Sequence, residues 1–346
     1  MTARLDALRH WAFEHHQSMA GAPRLEVVTD DASFRRYFRL YPNDGPTRIL
    51  MDAPPSQEDS RPFVDIARRW QRHGIRVPTL YRVDLAAGFI ELQDLGDEVL
   101  RSRLADPERG DALMHEAIST AVDIAALPAD DLPIYDVQRL ADELDLFPAW
   151  CLERWLGLDL FPDWHRVRDR LVRALAAQPQ VCVHRDYHPQ NLMLHDERLW
   201  VIDFQGAVRG PLAYDLASLL RDRNPPWPEA QQRRWIEAFR LMAIERGVVA
   251  EEITADDFRR MVDLTGAQRS LKVLGLFCRL ALRDLKPRYL ALLPLFVEHV
   301  RQGLIDQPGF EDFMQWFDTD FAPALHRRLR KQPDEASHPT PGSAPA

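Results

Sequence analysis

The chain has 346 residues, of which 46% are hydrophobic and 28% charged, an ordinary globular composition long enough for two lobes or domains. Its formal net charge of −9 argues against a nucleic-acid partner, because binding to phosphate backbones depends on clustered Lys and Arg. No apolar run reaches the length of a membrane span, and the N-terminus lacks a signal-peptide core, so we expect a soluble, cytoplasmic protein without a membrane partner.

The first 95 residues predict a small lobe built on an antiparallel sheet. An amphipathic helix over 4–19 comes first. Short apolar stretches bounded by turn residues predict five strands, at 25–29, 37–41, 48–52, 80–83 and 88–92. A helix over 61–73, ended by Gly74, is inserted between the third and fourth strands. We therefore expect residues 1–95 to form an N-lobe.

From residue 96 onward the pattern changes to long helices, predicted over 111–127, 137–156, 228–246 and 256–282. Two short strands, at 191–194 and 199–203, interrupt them and are joined by a tight turn. Residues 96–330 are thus predicted to form a mainly helical C-lobe, which makes the fold class α+β. The segment 331–346 is rich in proline and poor in large apolar residues, so we expect a disordered tail.

One short run carries the chemistry. Residues 184–191 read His-Arg-Asp-Tyr-His-Pro-Gln-Asn, and an Asp-Phe pair follows a hairpin's length later. Phosphoryl transfer needs a carboxylate that orients the attacking hydroxyl and accepts its proton, which Asp186 would supply. Oxygen ligands must hold the Mg²⁺ ions that bridge the phosphates, and Asn191 and Asp203 fit that role. His184 is expected to brace the loop from the core rather than to act as a catalyst.

This run and the Pro-x-x-Tyr-Asp-Leu-Ala element at 211–217 resemble the aminoglycoside phosphotransferase superfamily of small-molecule kinases, over about residues 25–325. The resemblance implies a protein-kinase-like fold of two lobes and transfer of the γ-phosphoryl group of ATP with Mg²⁺. It also implies that Asp215 anchors the catalytic loop from the next helix. An acid at a helix start is independently favoured by the helix dipole, which is compatible with that use.

Four further phrases, at 31–39, 51–55, 143–150 and 203–211, resemble the bacterial anomeric N-acetylmuramate/N-acetylglucosamine kinases. The resemblance implies an amino-sugar substrate, phosphorylated at its C1 hydroxyl during peptidoglycan recycling. Kinases of the same fold that act on an aminoglycoside, homoserine or choline remain an alternative, since the acids around Glu143 suit a cationic substrate too. A nucleotide-binding scaffold without turnover is a third alternative. The oligomeric state stays open.

The nucleotide is expected to bind to the N-lobe. The turn over 30–36 occupies the place of the phosphate-covering loop but contains no glycine. Ser33 and the neighbouring backbone N–H groups could hold phosphate oxygens there, although an ordinary polar hairpin turn has the same composition. By the same resemblance, adenine is held by backbone groups of 90–94, including Glu91 and Gln93.

The sugar is expected to bind to the helical lobe. Glu143 and Trp150 fall near helical spacing, so a carboxylate for sugar hydroxyls and an indole for a ring face would lie together. A tryptophan at such spacing also suits the hydrophobic core, and that alternative stays open.

Lysine is almost absent from the chain. Only three of the 44 basic residues are lysines, and none precedes position 272. Asp52 stands on the third strand, where kinases place the lysine that binds the α- and β-phosphates. A cation is still required, so we expect an arginine, Arg36 first and Arg39 second, because Arg36 shares a strand face with apolar residues. Alternatively, both are solvated strand arginines.

Overall fold

The computed structural model describes residues 2–16, 23–29, 34–106, 108–223 and 227–331. The predictions for Ser33 and for the tail after Lys331 lie outside these ranges. The helices are α1 (Thr2–Phe13), α2 (Arg61–Arg72), α3 (Leu100–Arg103), α4 (Gly110–Ala125), α5 (Val137–Leu144), α6 (Trp164–Ala176), α7 (Tyr214–Leu220), α8 (Glu229–Glu245), α9 (Ala255–Leu282), α10 (Leu293–Leu304), α11 (Glu311–Trp316) and α12 (Ala322–Arg330). The strands are β1 (Arg24–Thr29), β2 (Arg36–Tyr41), β3 (Arg48–Asp52), β4 (Leu80–Asp84), β5 (Phe89–Gln93), β6 (Gln180–Val183), β7 (Leu192–His195), β8 (Arg198–Val201) and β9 (Val208–Pro211). Short 3₁₀ and π-helical segments complete the set, at Phe204–Gly206, Pro287–Leu292, Phe147–Leu156 and Phe317–Phe321.

The chain divides into two compact units. Unit 1 consists of Met1–Leu127 and His184–Ala207, and unit 2 of Pro128–Val183 and Val208–Ala346. Unit 1 therefore contains the N-terminal sheet together with α3, α4 and the β7–β8 hairpin. The lobes predicted from sequence have other boundaries, 1–95 and 96–330, and this division into lobes stays a prediction.

The sheet of unit 1 has five strands in the order β1-β2-β3-β5-β4, all antiparallel. The strands predicted from alternating apolar residues are all present, each within one residue at either end. One sheet face is covered by α1, whose Leu8 and Ala12 pack on a cluster formed by Phe38, Leu40, Leu50 and Phe89. Burying each large apolar side chain there contributes about 1.5–3 kcal/mol.

Helix α2 connects the sheet to the chemistry-bearing run. It has a proline within its first turn, as helix starts favour, and the left-handed Gly74 (φ 84°) follows its end. Its buried face carries two aromatic residues. The ring of Phe63 stacks on Phe204 at 4.9 Å, and the ring of Trp70 lies 5.9 Å from that of His184. This face thereby fixes both ends of the segment that contains the predicted catalytic residues.

Unit 2 is organised around α9, a 28-residue helix that packs against α10, α7 and the π-helical segment Phe147–Leu156. Gly275 permits that approach, because a Cβ there would lie 2.2 Å from the backbone of Leu146. Among the described residues, none of the helices is both long and apolar enough to cross a membrane.

The single helix predicted over 137–156 is wrong. The structure has α5 up to Leu144 and then the π-helical segment that begins at Phe147. Pro148 explains the break, since it lacks an N–H and its ring clashes with the carbonyl four residues earlier. The small β6–β9 ladder of unit 2 was not predicted.

Candidate active site

His184 fixes the start of the catalytic loop. It is fully buried, and the backbone N–H of Asp186 donates to its Nδ1 at 3.2 Å. Because Nδ1 accepts, the ring proton sits on Nε2, which donates to the carbonyl of Ile202 at 2.9 Å. The His184 side chain therefore links the carbonyl of Ile202, next to Asp203, to the backbone of Asp186, the predicted base.

The structure brings Asp186, Asn191 and Asp203 together. The β7–β8 hairpin pairs Leu192 with Val201, which places Asn191 beside the residues that follow β8. The Asn191 Nδ2 donates to the backbone carbonyl of Asp186 at 3.0 Å and lies 3.4 Å from Asp203 Oδ2. Both aspartates are exposed. One amide thus links the backbone of Asp186 to the carboxylate of Asp203, and both aspartates remain accessible to incoming groups.

Two non-glycine residues of this site have left-handed backbones, Arg185 with φ 80° and Asp203 with φ 62°. Such conformations cost about 1–3 kcal/mol each and persist only where surrounding contacts enforce them. Here the backbone N–H of Ile202 donates to the carbonyl of Asn191 at 3.0 Å, in addition to the His184 bonds. Strain of this kind concentrates at functional sites, where it aims a side chain.

Gln205 is a site residue that the sequence analysis missed. Its Nε2 donates to Asp203 Oδ1 at 2.6 Å, while Asn191 approaches the other oxygen. The carboxylate of Asp203 is therefore oriented from both sides. The sequence feature that could have indicated this role is the position of Gln205 directly after the Asp-Phe pair.

The donor set suits a hard cation. In the described part of the chain, no group of three His, Cys, Asp or Glu side chains could hold a metal ion. Asp203 and Asn191 instead supply a carboxylate oxygen and an amide oxygen from neighbouring positions. Mg²⁺ is commonly bound through one or two protein oxygens, with phosphate oxygens and water completing its shell. These two residues fit that pattern.

The adenine-binding prediction concerns β5, which lies between β3 and β4 in the sheet. The backbone N–H of Gln93 donates to the carbonyl of Thr79 at 2.9 Å, and its side-chain oxygen accepts from the Thr79 hydroxyl at 3.1 Å. Glu91 is buried, with its carboxylate 3.0 Å from His16 Nε2. The Gln93 bonds stabilise this end of the sheet, and the Glu91 carboxylate is buried beside His16. Adenine contact by this segment stays a prediction.

The two arginines predicted for the phosphates are each held by carboxylates. Arg36 Nε donates to Asp52 at 3.1 Å, and Arg4 of α1 donates to the same buried carboxylate at 2.7 Å. Arg39 pairs with Asp94 and also with Asp97, each at 2.7 Å. The hydrogen bond to Asp97 is the main reason why the pKa of Arg39 is raised. Both arginines are thus ion-paired, and phosphate binding by either one stays a prediction.

Glu143 lies in a buried polar cluster of unit 2. Its Oε2 is 2.9 Å from Lys272 Nζ and accepts a hydrogen bond from the Tyr135 hydroxyl. The Tyr214 hydroxyl lies 3.2 Å from that of Tyr135 and 3.3 Å from Lys272 Nζ. Burial raises the pKa of Tyr135 well above its usual value, so the phenol keeps its proton and donates. The sequence analysis missed the partners of Glu143, which lie far from it along the chain.

Trp150 and Asp215 also belong to unit 2. Trp150 is half-buried against the hydrophobic core, and the Arg154 guanidinium lies 4.1 Å from the centroid of its ring. Asp215 is buried in the first turn of α7. The substrate role of Trp150 and the anchoring role of Asp215 stay predictions.

Comparisons with known proteins find similarity to phosphotransferases and sugar kinases. The model of the Phosphotransferase enzyme family (APH) matches residues 24–251. The N-acetylmuramate/N-acetylglucosamine kinase of Pseudomonas aeruginosa is 40% identical over 297 residues, which cover 83% of this chain and 86% of the relative. The kinase of the same name from Neisseria meningitidis is 37% identical, covering 80% of this chain and 85% of the relative.

Solved structures show the same fold. A choline/ethanolamine kinase family protein from Mesorhizobium loti has a TM-score of 0.60 at 17% identity, covering 91% of this chain and 99% of the other. The ethanolamine kinase of Plasmodium vivax has a TM-score of 0.61 at 9% identity, covering 80% and 82%. The predicted α+β, protein-kinase-like fold is confirmed. With its family model, its relatives and its fold in agreement, the chain belongs to the Phosphotransferase enzyme family.

Proposed function

We propose that this chain is an ATP-dependent kinase that phosphorylates the C1 hydroxyl of N-acetylmuramate and N-acetylglucosamine. The observation that carries the proposal is the grouping of Asp186, Asn191 and Asp203 around one hydrogen-bonded amide, in a chain 40% identical to kinases named for these sugars. ATP is the phosphate donor that the kinase family implies.

Asp186 is proposed as the base. Its carboxylate is exposed, while its backbone is fixed by His184 and Asn191. As the sugar oxygen forms its bond to the γ-phosphorus and the bond to the β-phosphate oxygen breaks, the hydroxyl proton passes to this carboxylate. The anomeric hydroxyl is more acidic than the other sugar hydroxyls, so a carboxylate base serves it readily.

Mg²⁺ is proposed to bind through Asp203 and through the side-chain oxygen of Asn191, whose nitrogen makes the hydrogen bonds described above. When bound, the ion would neutralise charge on the phosphates. Gln205 and Asn191 hold the Asp203 carboxylate in one orientation. These hydrogen bonds therefore fix the orientation of the Asp203 carboxylate before the ion binds.

Glu143 and Trp150 are proposed to contact the sugar, Glu143 through its hydroxyls and Trp150 through a ring face. The indole is only half-buried, and the sugar would stack on the part that stays exposed. The ion pair of Glu143 with Lys272 bears on the choice of substrate. A polycationic aminoglycoside needs a net negative pocket, and this lysine offsets the carboxylate, which favours a neutral or anionic sugar.

A kinase of free amino sugars would act on peptidoglycan fragments during cell-wall recycling, in the cytoplasm where ATP is available. The scaffold alternative loses support, because base and metal candidates are present together and held by specific hydrogen bonds.

A substrate panel tests the proposal. Purified protein, ATP and Mg²⁺ are incubated with N-acetylmuramate, N-acetylglucosamine, an aminoglycoside or choline, and products are followed by phosphorus NMR. We expect a new phosphate signal coupled to the C1 proton with both sugars. The matched control is the 1-deoxy sugar, which lacks only the proposed acceptor and should give no product. Coupling to the C6 protons, or faster turnover of the aminoglycoside, would disprove the assignment.

A further inference from the structure

The triphosphate of ATP needs a cation in unit 1, and the third-strand lysine is missing. Residues 1–271 contain no lysine, so an arginine must take this part. Arg36 and Arg39 were the candidates from sequence, and both are engaged with carboxylates. The faces of the sheet separate Arg36 from Arg35 and Arg39, and the contacts of Arg35 separate it from Arg39.

Side chains alternate between the two faces of a strand. On β2, Arg36 lies on the same face as Phe38, which packs under α1. Tyr37 points to the opposite face. Burial raises the pKa of the Tyr37 phenol, the Arg35 guanidinium lowers it, and the Asp203 carboxylate raises it further. Tyr37, Arg35 and Asp203 are therefore electrostatic neighbours, whereas Arg36 faces away from them.

Arg35 is a neighbour of Tyr37 and is buried. It is only 6% exposed and forms an ion pair with Glu58, just before α2. Its guanidinium lies 5.6 Å from the centroid of the Phe63 ring. Phe63 in turn stacks on Phe204 at 4.9 Å, and Phe204 directly follows Asp203. Through these rings Arg35 lies near the residue that follows the proposed metal ligand, whereas Arg39 is paired with Asp94 and Asp97, beyond the end of β5.

We propose that Arg35 is the cation that binds the phosphates of the nucleotide, and that Glu58 is the positioning residue that aims it. This inference rests on the proposed kinase function and adds the residue that replaces the missing lysine. A guanidinium has five N–H donors in a rigid fork, a geometry that matches phosphate oxygens. The Glu58 carboxylate, just before α2, takes the part that an acidic partner plays for a kinase lysine.

Binding of adenosine, ADP and ATP to the full chain tests this inference without the sugar. In calorimetric titrations with Mg²⁺ present, Arg35→Gln is expected to weaken ADP and ATP by about 10- to 100-fold, the usual effect of losing a charge-assisted hydrogen bond. Adenosine, which has no phosphate, should bind as it does to the wild type. Glu58→Gln keeps the arginine but not its orienting partner, so we expect a smaller, equally phosphate-specific loss.

The matched control is Arg61→Gln, which removes the exposed arginine that pairs with Asp59 at the same helix start. All three ligands should bind this variant normally. If Arg35→Gln misfolds because it leaves Glu58 unpaired, the double variant Arg35→Gln/Glu58→Gln removes both charges and should show the same loss of ADP.

Three results would overturn the inference. The first is normal ADP binding by a folded variant that lacks Arg35, and the second is an equal loss of adenosine and ADP, which indicates a structural role alone. The third is a phosphate-specific loss in Arg36→Gln or Arg39→Gln instead, which would restore the expectation from sequence. A wild-type protein that binds no nucleotide would contradict the proposed function itself, which separates the two failures.

Discussion

Removing one partner of the ion pair between Lys272 and Glu143 is expected to destabilise unit 2. The two groups are 2.9 Å apart, and each side chain is only 13% exposed. Lys272→Met keeps the length of the side chain but leaves a buried carboxylate without its cation. Removing one partner of a buried pair costs about 3–5 kcal/mol, and the residual exposure places this pair near 3 kcal/mol.

Thermal unfolding followed by circular dichroism measures the effect. For a unit of this size each kcal/mol lowers Tm by about 2–4 °C, so Lys272→Met should unfold about 6–12 °C below the wild type. The double variant Glu143→Gln/Lys272→Met should recover most of the loss, because it leaves no uncompensated charge. Lys331→Met, which changes an exposed lysine in the same way, should shift Tm by less than about 2 °C.

Wild-type stability of Lys272→Met, or a double variant less stable than the single one, would refute this reasoning. The same variants also test whether Glu143 contacts the sugar. If Glu143 contacts the sugar, the double variant regains its stability but retains a raised KM for N-acetylglucosamine. An unchanged KM would leave Glu143 with a purely structural role.

Three further predictions concern the catalytic hairpin. Asp186→Asn should lower kcat by about 100-fold or more with ATP binding retained, and near-normal turnover in a steady-state assay would exclude Asp186 as the base. Asp203→Ala and Asn191→Ala should each raise the Mg²⁺ concentration needed for half-maximal activity, and an unchanged titration in both would remove them from the metal site. His184→Phe should lower stability in urea unfolding by about 2–4 kcal/mol, because it leaves the N–H of Asp186 and the carbonyl of Ile202 unpaired. His184→Gln, which can donate and accept, should recover part of that loss, and equal stability of the two variants would argue against the assigned hydrogen bonds.

The sequence by itself determined the parts of this protein that depend on short-range pattern. The five strands of unit 1 follow from alternating apolar residues and turn residues, and the structure has all of them. Asp186, Asn191 and Asp203 lie within 18 residues of one another on a loop and hairpin. Residues so close along the chain have little conformational freedom once the hairpin closes. Their spacing was therefore enough to predict that they lie together.

Only the tertiary structure decided which groups meet across long stretches of chain. Alternation along the chain places the side chains of Arg35 and Arg36 on opposite faces, but it does not say which face contacts α1. In the structure, the face that carries Arg36 and Phe38 packs under that helix. Glu143 and Lys272 come together because α9 runs beside α5 and the π-helical segment, an approach that depends on Gly275. Non-local contacts of this kind depend on how whole elements pack, and no local pattern in the sequence encodes them.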